Sequence, residues 1–219
     1  MCIRDRIETL VRKKQRASKS YSLLKSAYPN AQSPLYYTAP HELLVANLLL
    51  DYCTRERVNS VTKKLFNKYH SPIDFAYCNL DSLAEDIHST GNQNEKANKI
   101  KQACLIIVEK YSGVVPSSID DLLGLPGVGK ETAKCIMGEI YNIPTIMIDT
   151  HMVRIMKLLG LTRGNNPKII ESEVMDTFEK KVWLKLFHLI NHHGRAVCTE
   201  RKRHCKACVI KKLCPSSNV

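Results

Sequence analysis

The chain reads as all-α, on three observations. Apolar residues recur at helical spacing through most of the text. Gly, Pro and Asn divide it into segments of helical length. No run alternates apolar and polar residues long enough for a strand, Thr145 to Ile148 being too short. Internal repeats and low-complexity segments are absent from the sequence.

Residues 7–27 form a basic, helix-compatible stretch with Ile7, Leu10, Val11, Leu23 and Leu24 available for burial. Tyr28-Pro29-Asn30 through Pro34 interrupts it. His41 to Asp51 is strongly apolar and reads as a buried helix, with Thr38 as its cap. Arg55 to Tyr69 is amphipathic: Val58, Val61, Leu65 and Phe66 share one face, with Lys63, Lys64 and Lys68 opposite. Ser71-Pro72 opens another helical unit, and Asp81 to Ile87 is a further one. Ser89 to Asn94 reads as a polar loop before a long amphipathic helix, Glu95 to Tyr111, which Gly113 to Pro116 ends.

Ser117 to Leu123 reads as a short helix with a serine cap and acids in its first turn, and Lys130 to Ile140 as a second helix. After the break at Asn142-Ile143-Pro144, Asp149 is placed to cap a helix running to about Leu159. Gly160, Gly164, Asn165, Asn166 and Pro167 break the chain again. Helices over about Pro167–Lys180 and Val182–His193 then lead into a cysteine-rich tail.

A chain of 219 residues can bury one sizeable core or two small ones. Its 44% hydrophobic and 25% charged residues suit a globular protein. The richest apolar run, Leu43 to Leu50, is far too short to span a bilayer. No signal-peptide pattern is visible, so a cytoplasmic, nucleoid-associated location is expected. Lysine and arginine outnumber acids by 33 − 21 = 12. Such an excess favours a polyanionic partner, most commonly nucleic acid. The opening residues 1–6, Met-Cys-Ile-Arg-Asp-Arg, look like a non-native, adapter-derived leader.

Between the two short helices lies Leu125-Pro126-Gly127-Val128-Gly129-Lys130-Glu131-Thr132-Ala133. Pro126, Gly127 and Gly129 allow a tight turn, poor in side chains, that presents backbone N–H groups at a helix start. Such a turn holds a phosphate without reading a base; the same text also suits an ordinary corner packed on the core. Cys53, Cys78, Cys104 and Cys135 read as buried or free thiols. Four further cysteines follow the spacing Cys198-x6-Cys205-x2-Cys208-x5-Cys214, which suggests a metal site over a disulfide framework. Four thiolates can wrap one zinc or one four-iron cluster. Zinc sites usually pair two close clips, and here only Cys205 and Cys208 are close. The intervening loop holds Arg201, Lys202 and Arg203, suited to backbone phosphates or to plain solvation.

The hairpin, the triplet Asp149-Thr150-His151 and the cysteine tail, in that order, resemble the endonuclease III family of DNA glycosylases, the iron–sulfur type of the helix-hairpin-helix superfamily. The resemblance runs from about His41 to Cys214, and the cysteine spacing matches at all four positions. It implies two helical lobes: a helical barrel with the hairpin over 41–143, and a cluster lobe made of 7–40 with 144–219, its cluster loop at 198–214. It implies a [4Fe–4S] cluster on Cys198, Cys205, Cys208 and Cys214, double-stranded DNA as partner, and a monomer. Gly127, Gly129, Lys130, Arg201, Lys202 and Arg203 become candidate DNA contacts.

A base-excising enzyme takes the damaged nucleotide out of the stack and needs a carboxylate to stabilise positive charge on the sugar. By resemblance Asp149 is that carboxylate; as a plain N-cap it would serve structure alone. Glu131 stands where bifunctional members carry their Schiff-base lysine, and a glutamate cannot form an imine. Lys130 is about 100° away around a helix. Lys134 shares Glu131's face, either reaching the pocket or simply pairing with Glu131 on the surface. Tyr52 falls where the family places a gap-filling glutamine and could stack on the orphaned base. Asn92 falls where a leucine wedge is usual.

The expected function is therefore a monofunctional DNA glycosylase of base-excision repair, with Asp149, assisted by Glu131, activating water. The alternatives are a bifunctional glycosylase and abasic-site lyase using Lys134 or Lys130, and a non-catalytic lesion-binding protein. An adenine-specific relative is disfavoured. Leu48 sits in that subfamily's glutamate position, and the sequence stops soon after the cysteines.

Overall fold

The computed structural model describes residues 8–164 and 166–219. The leader assigned to 1–6, the candidate core residue Ile7 and the breaker Asn165 lie outside the described residues. Eleven α-helices appear among those described: α1 Leu10–Ala27, α2 Pro40–Leu49, α3 Arg55–Leu65, α4 Pro72–Tyr77, α5 Leu80–Asp86, α6 Gln93–Tyr111, α7 Ile119–Leu123, α8 Lys130–Tyr141, α9 Thr150–Leu158, α10 Pro167–Thr177 and α11 Trp183–Ala196. Short 3-10 turns occur at His88–Thr90, Lys180–Val182, Cys205–Ala207 and Lys211–Leu213. The described residues contain no strand, only an isolated bridge between Cys198 and Arg203. The protein is all-α.

Helix starts follow local chemistry. Thr9, Thr54, Ser71, Asn79, Ser118, Asp149 and Asn166 each cap a helix by accepting a first-turn N–H. At α2 the expected cap, Thr38, is displaced by one position. Ala39 occupies the N-cap, and Glu42 reaches back to accept from the N–H of Thr38 (2.5 Å) and of Ala39 (3.2 Å) and from the Thr38 hydroxyl. A longer carboxylate satisfies three donors there, whereas the threonine hydroxyl would satisfy one. Nor is Ser89–Asn94 a plain loop: Thr90 ends a 3-10 turn and is buried, and α6 begins at Gln93. Leu10 and Val11 are 61% and 66% exposed, against expectation. They occupy the first turn of α1, where burial begins only at Ala17.

The chain divides into two compact units. Ser33–Ile143 is built around α2, which buries His41 through Ala46, Leu48 and Leu49. A helix buried almost all round is a core element, and α3, α6 and α8 pack against it. Helices α4 and α5 in turn pack on α6, whose Ala97, Ile100, Ala103, Cys104 and Ile107 face inward. The other unit joins the described part of Met1–Gln32 to Pro144–Val219. Its core combines Ala17 and Leu24 of α1 with Met152, Ile155 and Met156 of α9 and Leu186, Leu189 and Ile190 of α11.

His41 illustrates the cost of placing a polar residue in such a helix. It is 7% exposed, its ring stands edge-on to Phe75 with centroids 6.4 Å apart, and its Nε2 has no hydrogen-bond partner. Burial holds the imidazole below its ordinary value, outweighing the raising influence of Glu42 and Asp74. The unfolded chain therefore takes up this proton first as pH falls. Stability is full above the ordinary imidazole value of about 6.5 and declines as pH drops below it, until the folded value is reached. Urea melts between about pH 7.5 and 5.5 should show this decline, and His41→Leu should make it shallower.

Candidate nucleic-acid and catalytic site

The hairpin takes the form that its glycines require. Helix α7 is capped by Ser118, and the turn from Gly124 to Gly129 buries Leu125 and Val128 while Gly127 and Gly129 stay exposed. Gly127 has φ +80, in the left-handed region, and a Cβ there would lie 2.9 Å from Leu48 Cδ2 and 3.1 Å from Lys99 Cδ. Both the backbone angle and the close approach to α2 exclude a larger residue. Gly129 is the N-cap of α8, has no side-chain cap, and faces open space. The first-turn N–H groups and positive dipole end of α8 thus face outward beside the exposed Lys130, an arrangement suited to an anion.

Glu131 and Lys134 lie one turn apart on α8, with Nζ 3.9 Å from Oε1. The Glu131 side chain is 56% exposed, but that of Lys134 only 18%. The pairing considered from sequence is thus present, between an exposed carboxylate and a largely covered lysine side chain.

Asp149 caps α9, Oδ1 accepting from Met152 N at 2.9 Å, so its carboxylate is held at a fixed angle at the helix start. Packing behind it is close. A Cβ on Gly194 of α11 would fall 2.7 Å from His151 Nδ1. Arg154 Nη2 donates to the carbonyls of Gly194 (3.1 Å) and Cys198 (2.8 Å) and lies 3.1 Å from His151 Nδ1. The first two turns of α9 are thereby fastened to α11 and to the start of the cysteine loop.

Tyr52 and Asn92 are both non-glycine residues in the left-handed region, at φ 52 and 49. Tyr52 is 98% exposed. An aromatic side chain left in water on a strained backbone is rare where packing alone selects the residue.

The four tail cysteines line one small cavity of about 30 Å³ together with His193, Arg203 and Ile210. Among the described residues, no three Cys, His, Asp or Glu side chains converge closely enough to hold a single metal ion. The loop is braced by the Cys198–Arg203 bridge, by His204 N to Val197 O at 3.0 Å, and by Lys211 Nζ to Lys206 O at 2.8 Å. Arg201, Lys202 and Arg203 remain exposed.

A family model described as HhH-GPD superfamily base excision DNA repair protein matches residues 45–180. The chain belongs to that superfamily. It is similar to Endonuclease III of Synechocystis sp., with 40% identity over 212 residues, covering 96% of this chain and 97% of the relative. It also superposes on a non-covalent Endonuclease III–DNA complex with a TM-score of 0.85 at 34% identity, covering 93% and 96% of the two chains. A trapped Endonuclease III–DNA covalent intermediate matches with the same TM-score, identity and coverage. This HhH-GPD protein is thus an endonuclease III-like DNA glycosylase of base-excision repair.

Three features of the HhH-GPD chain go beyond its sequence pattern. Tyr28 Oη and His193 Nδ1 share a hydrogen bond of 2.9 Å, and His193 Nε2 lies 3.6 Å from Cys208 Sγ. Burial depresses the His193 imidazole to about 4, so it packs as a neutral ring. Arg154 is a clamp that no spacing rule would have chosen. Lys96, a lysine in an amphipathic helix, proves to be buried. Of these, only His193 had a sequence signal, lying five residues before Cys198.

Proposed function

We propose that the chain removes a damaged or mismatched base from double-stranded DNA as a monofunctional glycosylase. The observation that carries this reading is Glu131, a carboxylate in the first turn of α8 at the position where the resemblance calls for an amine. A carboxylate cannot form an imine with the opened sugar. The bond between base and sugar breaks with its electron pair leaving on the base, and the sugar gathers positive charge. Asp149, aimed by its cap bond to Met152 N, stabilises that charge. Water then adds to the anomeric carbon and gives up its proton to the Asp149 carboxylate, from which it passes through solvent to the departed base, leaving a neutral free base and an abasic sugar.

The outward N–H groups of α8, with Gly127, Gly129 and Lys130, would hold one stretch of phosphates. Arg201, Lys202 and Arg203 would hold another. Tyr52 and Asn92 would enter the duplex near the extruded nucleotide, the tyrosine stacking on the orphaned partner. Cys198, Cys205, Cys208 and Cys214 would hold a [4Fe–4S] cluster. Four cysteine sulfurs lining one cavity are the donor type and number that such a cluster takes, one thiolate to each iron. Such a group would fasten the basic loop and supply one-electron redox chemistry when bound; the excision steps above do not use it.

A second reading is a bifunctional enzyme in which Lys134 supplies the amine. It is favoured by the low exposure of that side chain and by the covalent intermediate formed by a relative. Duplexes carrying uracil, thymine glycol, mismatched thymine, an alkylated purine or an abasic site, incubated with and without borohydride, separate the two. Strand breaks that require alkali, without a trapped adduct, are expected. An adduct that disappears in Lys134→Ala would establish the second reading.

A further inference from the structure

We infer that Lys96 is a positioning residue that ties the Tyr52 turn to the Asn92 turn, so that both enter DNA as one unit. The inference rests on the glycosylase reading above and adds a part that neither motif nor spacing reveals. Lys96 lies on the first turns of α6 and is 3% exposed. Its Nζ donates to Leu49 O at 3.0 Å and to Thr90 O at 2.8 Å. Leu49 is the last residue of α2, three before Tyr52; Thr90 ends the 3-10 turn, two before Asn92. Asp51 and Cys53, on either side of Tyr52, lie close enough to favour the charged amine. One ammonium group thus bridges the ends of two segments distant in sequence.

The chemistry of those ends explains why a cation is needed. The last carbonyls of a helix have no partner within it and carry the negative end of its dipole. Leu49 O is such a carbonyl, and the compact Lys96 ammonium satisfies it while reaching Thr90 O with a second proton. Burying a lysine costs stability, and burial does lower the proton affinity of this one. A fold indifferent to the spacing of these turns would do better with an apolar side chain in this place. Beyond the tie the two turns carry left-handed backbones at Tyr52 and Asn92 and expose both side chains, so the strain and the exposure lie on the DNA-facing side of one bridge.

The test is a double-mutant cycle between Lys96→Met and Tyr52→Ala with the full chain. One probe is a duplex holding an uncleavable abasic-site analogue opposite 2-aminopurine, read by fluorescence. The other is single-turnover base release from the best duplex of the panel. Lys96→Met should lose most of the fluorescence change and slow base release about tenfold, as expected for small misplacements of positioning groups. Its melting temperature should stay within about 3 °C of wild type. In the Tyr52→Ala background the same change should slow release less than about twofold further, because coupled residues are not additive. An unchanged fluorescence response in Lys96→Met, or losses that add fully in the double variant, would overturn the inference. Should Lys96→Met fail to fold, Lys96→Gln, whose shorter side chain cannot reach Leu49 O and Thr90 O together, enters the same cycle with the same criteria. The uncleavable probe reports on Lys96 even if wild type releases no base from any duplex, an outcome that would instead defeat the glycosylase reading.

Discussion

Asp149→Asn is expected to lower base release by about 10²–10³-fold, the scale seen when a preorganised electrostatic group is removed. Asparagine is chosen because it separates the observed cap role of Asp149 from the catalytic role proposed for it. As a cap it is as good as aspartate, so the bond from Met152 N and the start of α9 should survive. What it lacks is the negative charge opposite the developing cation on the sugar. The melting temperature of Asp149→Asn should therefore match that of wild type, while single-turnover excision collapses. Asp149→Ala provides the contrast: it should lose activity and also about 1 kcal/mol of stability, because the cap goes with the charge. Full excision by Asp149→Asn would leave the residue a cap alone and move the catalytic carboxylate elsewhere, with Glu131 first in line.

Glu131→Lys is expected to add abasic-site lyase chemistry to the monofunctional activity proposed for the wild-type chain. The variant places an amine in the first turn of α8, the position that bifunctional relatives use according to the resemblance. Two features should make the new lysine reactive at neutral pH. It lies at the positive end of the α8 dipole, and Lys134, 3.9 Å from the present carboxylate, would become a cationic neighbour. Both disfavour the protonated form and raise the fraction of free amine. Borohydride should then trap a covalent adduct on the abasic duplex, and strand cleavage should no longer require alkali. If wild type already gives an adduct of equal yield, Glu131 is not what limits the chemistry and Lys134 is the amine. If Glu131→Lys gives none while remaining folded, the α8 first turn does not face the sugar.

Much of this was legible in one dimension. Helix starts depend on a few adjacent residues, and Ser71, Ser118 and Asp149 stand as caps at their expected places. The glycine turn was readable because φ +80 at Gly127 admits few other residues. The grouping of the four tail cysteines was readable because their spacing is local, and they do line one cavity.

Errors arose where several residues compete for one role. Thr38 and Glu42 both could cap α2, and the longer carboxylate won because it reaches three donors at once. Leu10 and Val11 were assigned to burial from their residue type, but among the described residues no element covers their helix turn. Type and periodicity establish which face could be apolar; they do not say what covers it.

The sequence by itself determined the helical class, the hairpin, the four-cysteine tail and a carboxylate at position 131, because each depends on residue type and short-range spacing. Only the tertiary structure decided that the Lys134 side chain is largely covered beside Glu131, that Arg154 fastens the Asp149 helix to the cysteine loop, and that Lys96 bridges two turns. Those facts depend on which carbonyls and side chains a long cation meets, some of them more than forty residues away in the chain. A lysine's reach is the same in every sequence; whether it ends in water or on two buried carbonyls is settled by packing.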